Sequence, residues 1–517
     1  MSLRLKLVSN TVYLFSDWFF TSLLSMFYWF IIGKLLLPSH YGIIATSTQI
    51  VMALSGISLL GLGGAIRKLI PEWSKKRESE KIRGMIRYSS KIILISSITI
   101  AIILILFSQK LGLILNLESR VIIIIAFSII AVTFTGLFGS VHYGLQNMRR
   151  YFLTNLYGQI VKVIIVLPLI FLGLTYFGPL IAFFTCFIVI SLSRFEKKFF
   201  KDKKININKK IISKYSTPAF IVNILLVLLN YTHYIILTLL IAGNLSSSET
   251  MSRVGYFAIA MTISFPIQII PNILSSALFP IISELSVDKK KERKQAYLIK
   301  LIFRYSLFFV LPLAVFLILT SNHVIIFFSK LEYLPANEIL PFLIIASMFY
   351  GLGNIFLSSL YALRKPQKYR NCYLGIVTLY LVLSVPLTYY LFEKGLAVSY
   401  LISMFFLLFS GGFLIKKYLK VEFPIEDAGR IIFATFLSSV FLLLFKQFIP
   451  NIWIAVIFVV IASLIYLLIL LLTGFYIGED LKVLDFLVKK SPIFKENIVS
   501  FKKFLSKRVS RSYLKTT

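Results

Sequence analysis

Long apolar runs recur along the whole chain, and the polar stretches between them are short. Fourteen such runs stand out, at about residues 11–37, 41–66, 88–108, 120–146, 152–175, 177–194, 215–242, 254–283, 301–320, 338–363, 371–392, 395–415, 428–448 and 451–474. A helix needs about 20 apolar residues to cross a bilayer, and these runs are of that order. The pattern predicts an all-α polytopic membrane protein with about 14 transmembrane helices. The run beginning Val254-Gly255-Tyr256 and ending Leu278-Phe279-Pro280-Ile281-Ile282-Ser283-Glu284-Leu285 differs from the rest, because Pro266, Pro271 and Pro280 punctuate it. Each proline removes a backbone hydrogen bond and bends a helix. Lipid tolerates such irregularity only where protein or a water-filled cavity covers it, which places this helix in a bundle interior beside a pathway.

Composition changes this picture in one respect. Hydrophobic residues make up 58% of the chain, leaving no soluble domain of useful size, yet the formal net charge is +34. In a soluble protein such a charge would suggest nucleic acid. With a cytoplasmic N-terminus, however, 47 of the 55 Lys and Arg fall in cytoplasmic segments or the span ends beside them and seven in outer loops or the span ends there (Lys34, Lys110, Arg120, Arg253, Lys330, Lys394, Lys446), leaving Lys162 in the middle of a span. That is the positive-inside asymmetry, and a miscount of one helix would have inverted it midway. The charge therefore belongs to membrane lipids and topology rather than to nucleic acid, with both termini cytoplasmic and the protein a multi-pass resident of the cell membrane. Arg4 and Lys6 precede an apolar run too long for a signal-peptide core, so the first span is read as uncleaved. Cys186 and Cys372 are too far apart to imply a disulfide framework.

An internal repeat organises the spans. Gly42 and Gly255 are 213 residues apart; Tyr143-Gly144-Leu145 and Tyr361-Ala362-Leu363, 218; Gly158 and Gly375, 217; Pro168 and Pro386, 218; Gly178 and Gly395, 217. Such self-similarity reads as two pseudo-symmetric six-helix lobes, residues 1–195 and 215–418, joined by a basic cytoplasmic linker, 196–214. Two further helices follow within 419–477. The segment 478–517 carries apolar positions at helical spacing (Leu481, Leu484, Leu487, Val488) among ten basic residues, the pattern of an amphipathic tail on the cytoplasmic leaflet. Six spans is an even number, so the lobes run parallel. Transporters built this way hold substrate between the lobes and rock them for alternating access.

Several motifs resemble one family in particular. Gly33-Lys34-Leu35-Leu36-Leu37-Pro38-Ser39-His40-Tyr41-Gly42 is similar to its Leu-x-Pro-x-x-Tyr-Gly first loop, and Gly61-Leu62-Gly63-Gly64-Ala65-Ile66-Arg67 to its second-helix ending. The Gly255-Tyr256 and Leu278-Phe279-Pro280 elements and Tyr333-Leu334-Pro335-Ala336 complete the set. Together, in this order and over about residues 1–480, they resemble the polysaccharide-exporter branch of the multidrug/oligosaccharidyl-lipid/polysaccharide flippase superfamily. That resemblance implies a carrier moving lipid-linked oligosaccharide, on a polyprenyl phosphate or pyrophosphate, from the cytoplasmic to the outer leaflet, with Na+ or H+ as the candidate coupling ion. The rivals are a cation-coupled drug exporter of the same superfamily and, from another class, a membrane glycosyltransferase or polymerase. The enzyme reading needs acidic groups on a sizeable outer loop, and the longest outer loop, about 321–337, offers only Glu332.

Candidate working groups follow from cost. An ammonium inside a span is expensive and by default functional, so Lys162 is expected to face the inter-lobe cavity and attract the substrate phosphate; the alternative is a lysine snorkelling to the interface. Asp17 reads as a coupling carboxylate or an interfacial group, and Arg67 and Lys68 as headgroup receivers at the cytoplasmic mouth or as plain anchors. His233 and Asn230, one turn apart, bind substrate or glue helices. Gln268 and Asn272 face freed backbone carbonyls or sugar hydroxyls, and Glu284 is a candidate cytoplasmic latch. No Gly-x-x-x-x-Gly-Lys-Ser/Thr loop occurs, and the four histidines do not cluster with Cys or carboxylates, so neither ATP hydrolysis nor a metal or other cofactor is expected.

Overall fold

The computed structural model describes residues 3–200, 209–286 and 291–475. Among them all regular structure is helical. The first part comprises α1 (Leu3–Leu35), α2 (Pro38–Ser58), α3 (Leu62–Lys75), α4 (Ser79–Leu106), α5 (Ser108–Leu115), α6 (Ser119–Gly144), α7 (Met148–Phe171) and α8 (Phe177–Arg194). The second comprises α9 (Lys209–Tyr231), α10 (His233–Ile241), α11 (Ser247–Ser264), α12 (Ile269–Leu285), α13 (Glu292–Leu319), α14 (Ser321–Phe328), α15 (Leu340–Ala362) and α16 (Pro366–Leu419). A final hairpin, α17 (Ile425–Leu444) and α18 (Ile452–Leu472), follows.

Thirteen helical stretches among the described residues are long and apolar enough to span a membrane. One of them, α16, has 54 residues, far more than a single crossing takes. It is two arms meeting at Phe392, whose φ of 51° and ψ of −133° are not helical. The ring of Phe392 lies beneath the Arg253 guanidinium, 4.7 Å from its centroid, and Arg253 also holds Glu393 at 3.0 Å. Counting the arms separately restores the fourteen crossings that the apolar runs predict.

The repeat is visible in the elements. A long helix followed by a short one, α4 with α5, recurs as α13 with α14, and the starts Ser79 and Glu292, like Ser108 and Ser321, are 213 residues apart. Within the first half α7 packs on α1 and α8, and α6 on α4 and α8; within the second α15 packs on α12, α13 and α16. One apolar core crosses from half to half, taking in Tyr28 and Ile44 as well as Phe257 and Ile344.

Some boundaries depart from the sequence reading. The second apolar run does not continue to residue 66: α2 stops at Ser58, Leu60 and Gly61 turn with positive φ, and α3 begins at Leu62. The buried side of α3 (Leu62, Ala65, Ile66, Leu69, Ile70, Trp73) packs inward while Arg67 and Lys68 are exposed, so these two belong to an amphipathic helix and not to a span end. The seventh run breaks at Thr232 between α9 and α10. The proline-broken helix is one path from Ser247 to Leu285, tightened into a 3-10 turn over Phe265–Gln268 where Pro266 sits. Two sequence expectations lie outside the described residues: the amphipathic tail 478–517 and linker positions 201–208.

Candidate functional site

The two halves meet along α2, which packs on α11 at one end and on α9 at the other. On the expectation from the charge pattern, the first of these is the outer end and the second the inner end. At the outer end α2 and α11 cross where neither has a side chain. A Cβ on Gly42 would stand 1.9 Å from the Met251 carbonyl oxygen, and one on Gly255 2.1 Å from that of Pro38. Two lysines then lace the crossing. Lys34, from the first half, donates to the carbonyls of Ile326 at 2.7 Å and Ser329 at 3.0 Å. Lys330, from the second, donates to that of Leu35 at 3.1 Å. Each ammonium thereby caps the carboxyl end of a helix in the opposite half, where cations are favoured. Tyr333 donates to the Leu36 carbonyl at 3.2 Å, and its ring meets that of Tyr41 edge-on at 5.8 Å. The Leu-x-Pro-x-x-Tyr-Gly loop, the Gly-Tyr pair and the Tyr-x-x-Ala element, far apart in the chain, converge on this one seam.

The inner end is closed by α9. Gly61, at φ 68°, lies so close that a Cβ would be 2.1 Å from the Ser216 carbonyl oxygen. Beyond it Asn223 donates to the Gly56 carbonyl at 2.7 Å. Arg67 places its guanidinium 5.1 Å over the Tyr143 ring, and Lys68 pairs with Glu72 at 2.8 Å. The hydrogen bond and charge of Glu72 hold the Lys68 ammonium above its usual pKa range. The two halves are therefore in close contact at both ends of α2.

Polar groups inside the first half form two clusters. Lys162, on α7, is 4% exposed, and its ammonium sits 4.5 Å over the ring of Tyr28, which donates to the Pro179 carbonyl at 2.9 Å. It is thus packed among α1, α7 and α8, with Cys186 buried on the last of these. Among the described residues no carboxylate lies within ion-pair range of it. The second cluster starts at Asp17 on α1, which accepts from Asn155 Nδ2 at 2.8 Å. Asn155 Oδ1 in turn accepts from Arg194 Nη2 at 2.6 Å. Arg194 also donates to Thr154 Oγ1 at 3.0 Å and to the carbonyls of Thr135 and Tyr151, and lies 4.5 Å over the Tyr151 ring. Its own carbonyl faces His142 Nε2 at 3.0 Å.

Sequence reasoning passed over Arg194 and Asn155. Arg194 ends an apolar run and so reads as a cytoplasmic anchor, yet it is 2% exposed. A signal existed: Asn155 and Lys162 are seven residues apart, two turns along one stripe of the same helix.

In the second half His233 opens α10, is 1% exposed, and its Nδ1 lies 2.5 Å from the Tyr380 hydroxyl. The rings of Tyr400 and Phe257 stand at 4.9 and 6.2 Å. Asn230, on the other side of the Thr232 break, spends its amide on the Leu226 carbonyl of its own helix at 2.8 Å, so the expected pair does not act together. Gln268 lies in the 3-10 turn and is buried. Asn272 Oδ1 accepts from Asn354 at 2.8 Å, and Ser275 meets Ser358 at 2.5 Å, tying α12 to α15. Glu284 is exposed and makes no ion pair with any described residue.

Comparison with known proteins gives a consistent result. The family described as polysaccharide biosynthesis protein matches residues 7–286. Among solved structures, the lipid II flippase MurJ in an inward closed conformation superposes with a TM-score of 0.71 at 18% identity, over 88% of this chain and 97% of that one. An inward-facing multidrug resistance MATE family transporter of the MOP superfamily gives 0.59 at 14% identity, over 80% and 94%. A mutant form of the Vibrio cholerae MATE transporter VcmN gives 0.53 at 17%, over 81% and 97%. No curated protein sequence matches this chain. At these identities the likenesses establish a shared fold.

Proposed function

Because this chain belongs to the polysaccharide biosynthesis protein family and has the MOP superfamily fold, we propose that it is a flippase carrying lipid-linked oligosaccharide from the cytoplasmic to the outer leaflet. The observation that carries this reading is the seam: two helical halves joined along α2 and closed separately at its two ends. Alternating access requires two closures that release independently. Residues 1–195 and 215–418 are the bodies that rock, with the N-terminus and the basic loops on the cytoplasmic side.

Lys162 is the group assigned to the polyprenyl phosphate or pyrophosphate. Arg194 has its guanidinium hydrogen-bonded on every side, whereas Lys162 has only an aromatic face for its charge. Tyr28 covers it, so access requires α1 to move off α7, pivoting at its outer end, where Lys34 and Leu35 tie it to the second half. Asp17, five residues into the apolar part of that helix, is the coupling carboxylate for H+ or Na+. A proton or cation there would change its hold on Asn155 and Arg194.

The test is transbilayer movement of a fluorescent polyprenyl-linked oligosaccharide in liposomes holding the full chain, with a proton or sodium gradient imposed in turn. Movement is expected with one of the two gradients, and Lys162→Met, which keeps the volume and removes the charge, should stop it while leaving the melting temperature in place. Cation-driven efflux of drugs without movement of the lipid would give the function to a drug exporter instead.

A further inference from the structure

A cavity of about 650 Å3 opens between the amino-terminal ends of α9 and α16, on the inner side. Its rim carries Lys210, Lys214 and Arg370, and its wall is Thr217, Pro218 and Ile221. Successive helix residues turn by 100°, so this stripe lies across α9 from Ser216 and Asn223, which close the inner end of the seam. The cavity therefore opens on the face of α9 turned away from the seam.

Three features point to its occupant. Lys214 on α9 and Arg370 on α16 bring two like charges to one cavity, where an anion beside them relieves their repulsion. Lys214 has no carboxylate in ion-pair range among the described residues, and Arg370 bonds to the neutral side-chain oxygen of Asn371, at 3.1 Å. Below the cations the wall turns apolar within two helical turns, and Ile221 is 46% exposed. Cationic rim above and apolar wall below is the profile of a lipid lying in a leaflet, phosphate at the interface and chain along the helix. Pro218 adds an acceptor, since it has no N–H to offer the Lys214 carbonyl one turn back.

We propose that this cavity binds one anionic phospholipid of the inner leaflet, its phosphate between Lys214 and Arg370, its glycerol at Thr217 and an acyl chain along Ile221. Bound there, the lipid braces the helix whose opposite face closes the seam.

Native mass spectrometry of the full chain, titrated in detergent with phosphatidylglycerol or phosphatidylcholine, tests this. Wild type should retain one more phosphatidylglycerol than phosphatidylcholine. K214Q/R370Q should weaken that retention about twenty-fivefold, taking about fivefold for each cation near a membrane surface. T217W, which fills the cavity and keeps the charges, should abolish it, so a poorly folding double variant does not decide the matter. Equal retention of both lipids, or wild-type retention by T217W, overturns the proposal. So does displacement of the phospholipid by inorganic phosphate or by equimolar polyprenyl phosphate, which would give the site to free phosphate or to the carrier lipid.

Discussion

Arg194 shows how one side chain can hold several helices together. From the end of α8 it reaches Thr135 on α6 and Tyr151, Thr154 and Asn155 on α7, and through Asn155 it reaches Asp17 on α1. A planar fork with five donors satisfies these acceptors together; an ammonium cannot. Arg194→Lys should therefore lower the stability of the purified protein by about 3 kcal/mol, read as a fall in melting temperature, because it leaves buried acceptors without donors. Asp17→Asn keeps the shape and leaves Arg194 bonded, so it should melt near wild type and lose the dependence of flipping on the ion gradient. At this scale the sequence was readable for cost but not for company. Lys162 stood out because an ammonium in an apolar run has no cheap explanation. Its neighbour Tyr28, 134 residues away in the chain, carried no such mark.

At the scale of helices, the informative events are interruptions. The 3-10 turn at Pro266, the break at Thr232 and the turn at Leu60–Gly61 each lie in or beside a helix of the seam. The prolines announced the first; the second has no proline or glycine to betray it. Two substitutions should move the closures in opposite directions. Gly255→Ala drives a methyl against the Pro38 carbonyl and destabilises the outer closure by about 1–3 kcal/mol. Gly61→Ala adds to a similar clash the cost of a left-handed residue, about 1 kcal/mol, at the inner one. With Cys186 and Cys372 replaced by serine, a membrane-impermeant maleimide should label a cysteine at Thr262 faster in Gly255→Ala, and one at Asn223 faster in Gly61→Ala. Labelling that is unchanged, or raised at the wrong end, would refute this assignment of the gates.

At the scale of the whole molecule, the last two helices ride on the second half. Tyr466 on α18 donates to the Phe308 carbonyl of α13 at 2.8 Å, and buried Arg304 on α13 pairs with Asp427 of α17 at 3.0 Å. Arg304 also donates to the Phe475 carbonyl at 2.6 Å and stacks on that ring at 4.2 Å. Asp427→Asn should cost about 2 kcal/mol in the melting of the full chain, since it removes the countercharge of a buried cation. The hairpin should then be cleaved by protease before the rest of the protein.

Membrane class and the number of crossings were legible from the chain alone. They depend on local hydrophobicity, on loop charge and on spacing along the chain, and lipid enforces each of them residue by residue. The seam, the lysines that cap each other's halves, the enclosure of Lys162 behind α1 and the burial of Arg194 were settled only by the fold. Each of these depends on which helix lies beside which and at what rotation, and apolar runs that all satisfy the bilayer equally well leave that choice to tertiary packing.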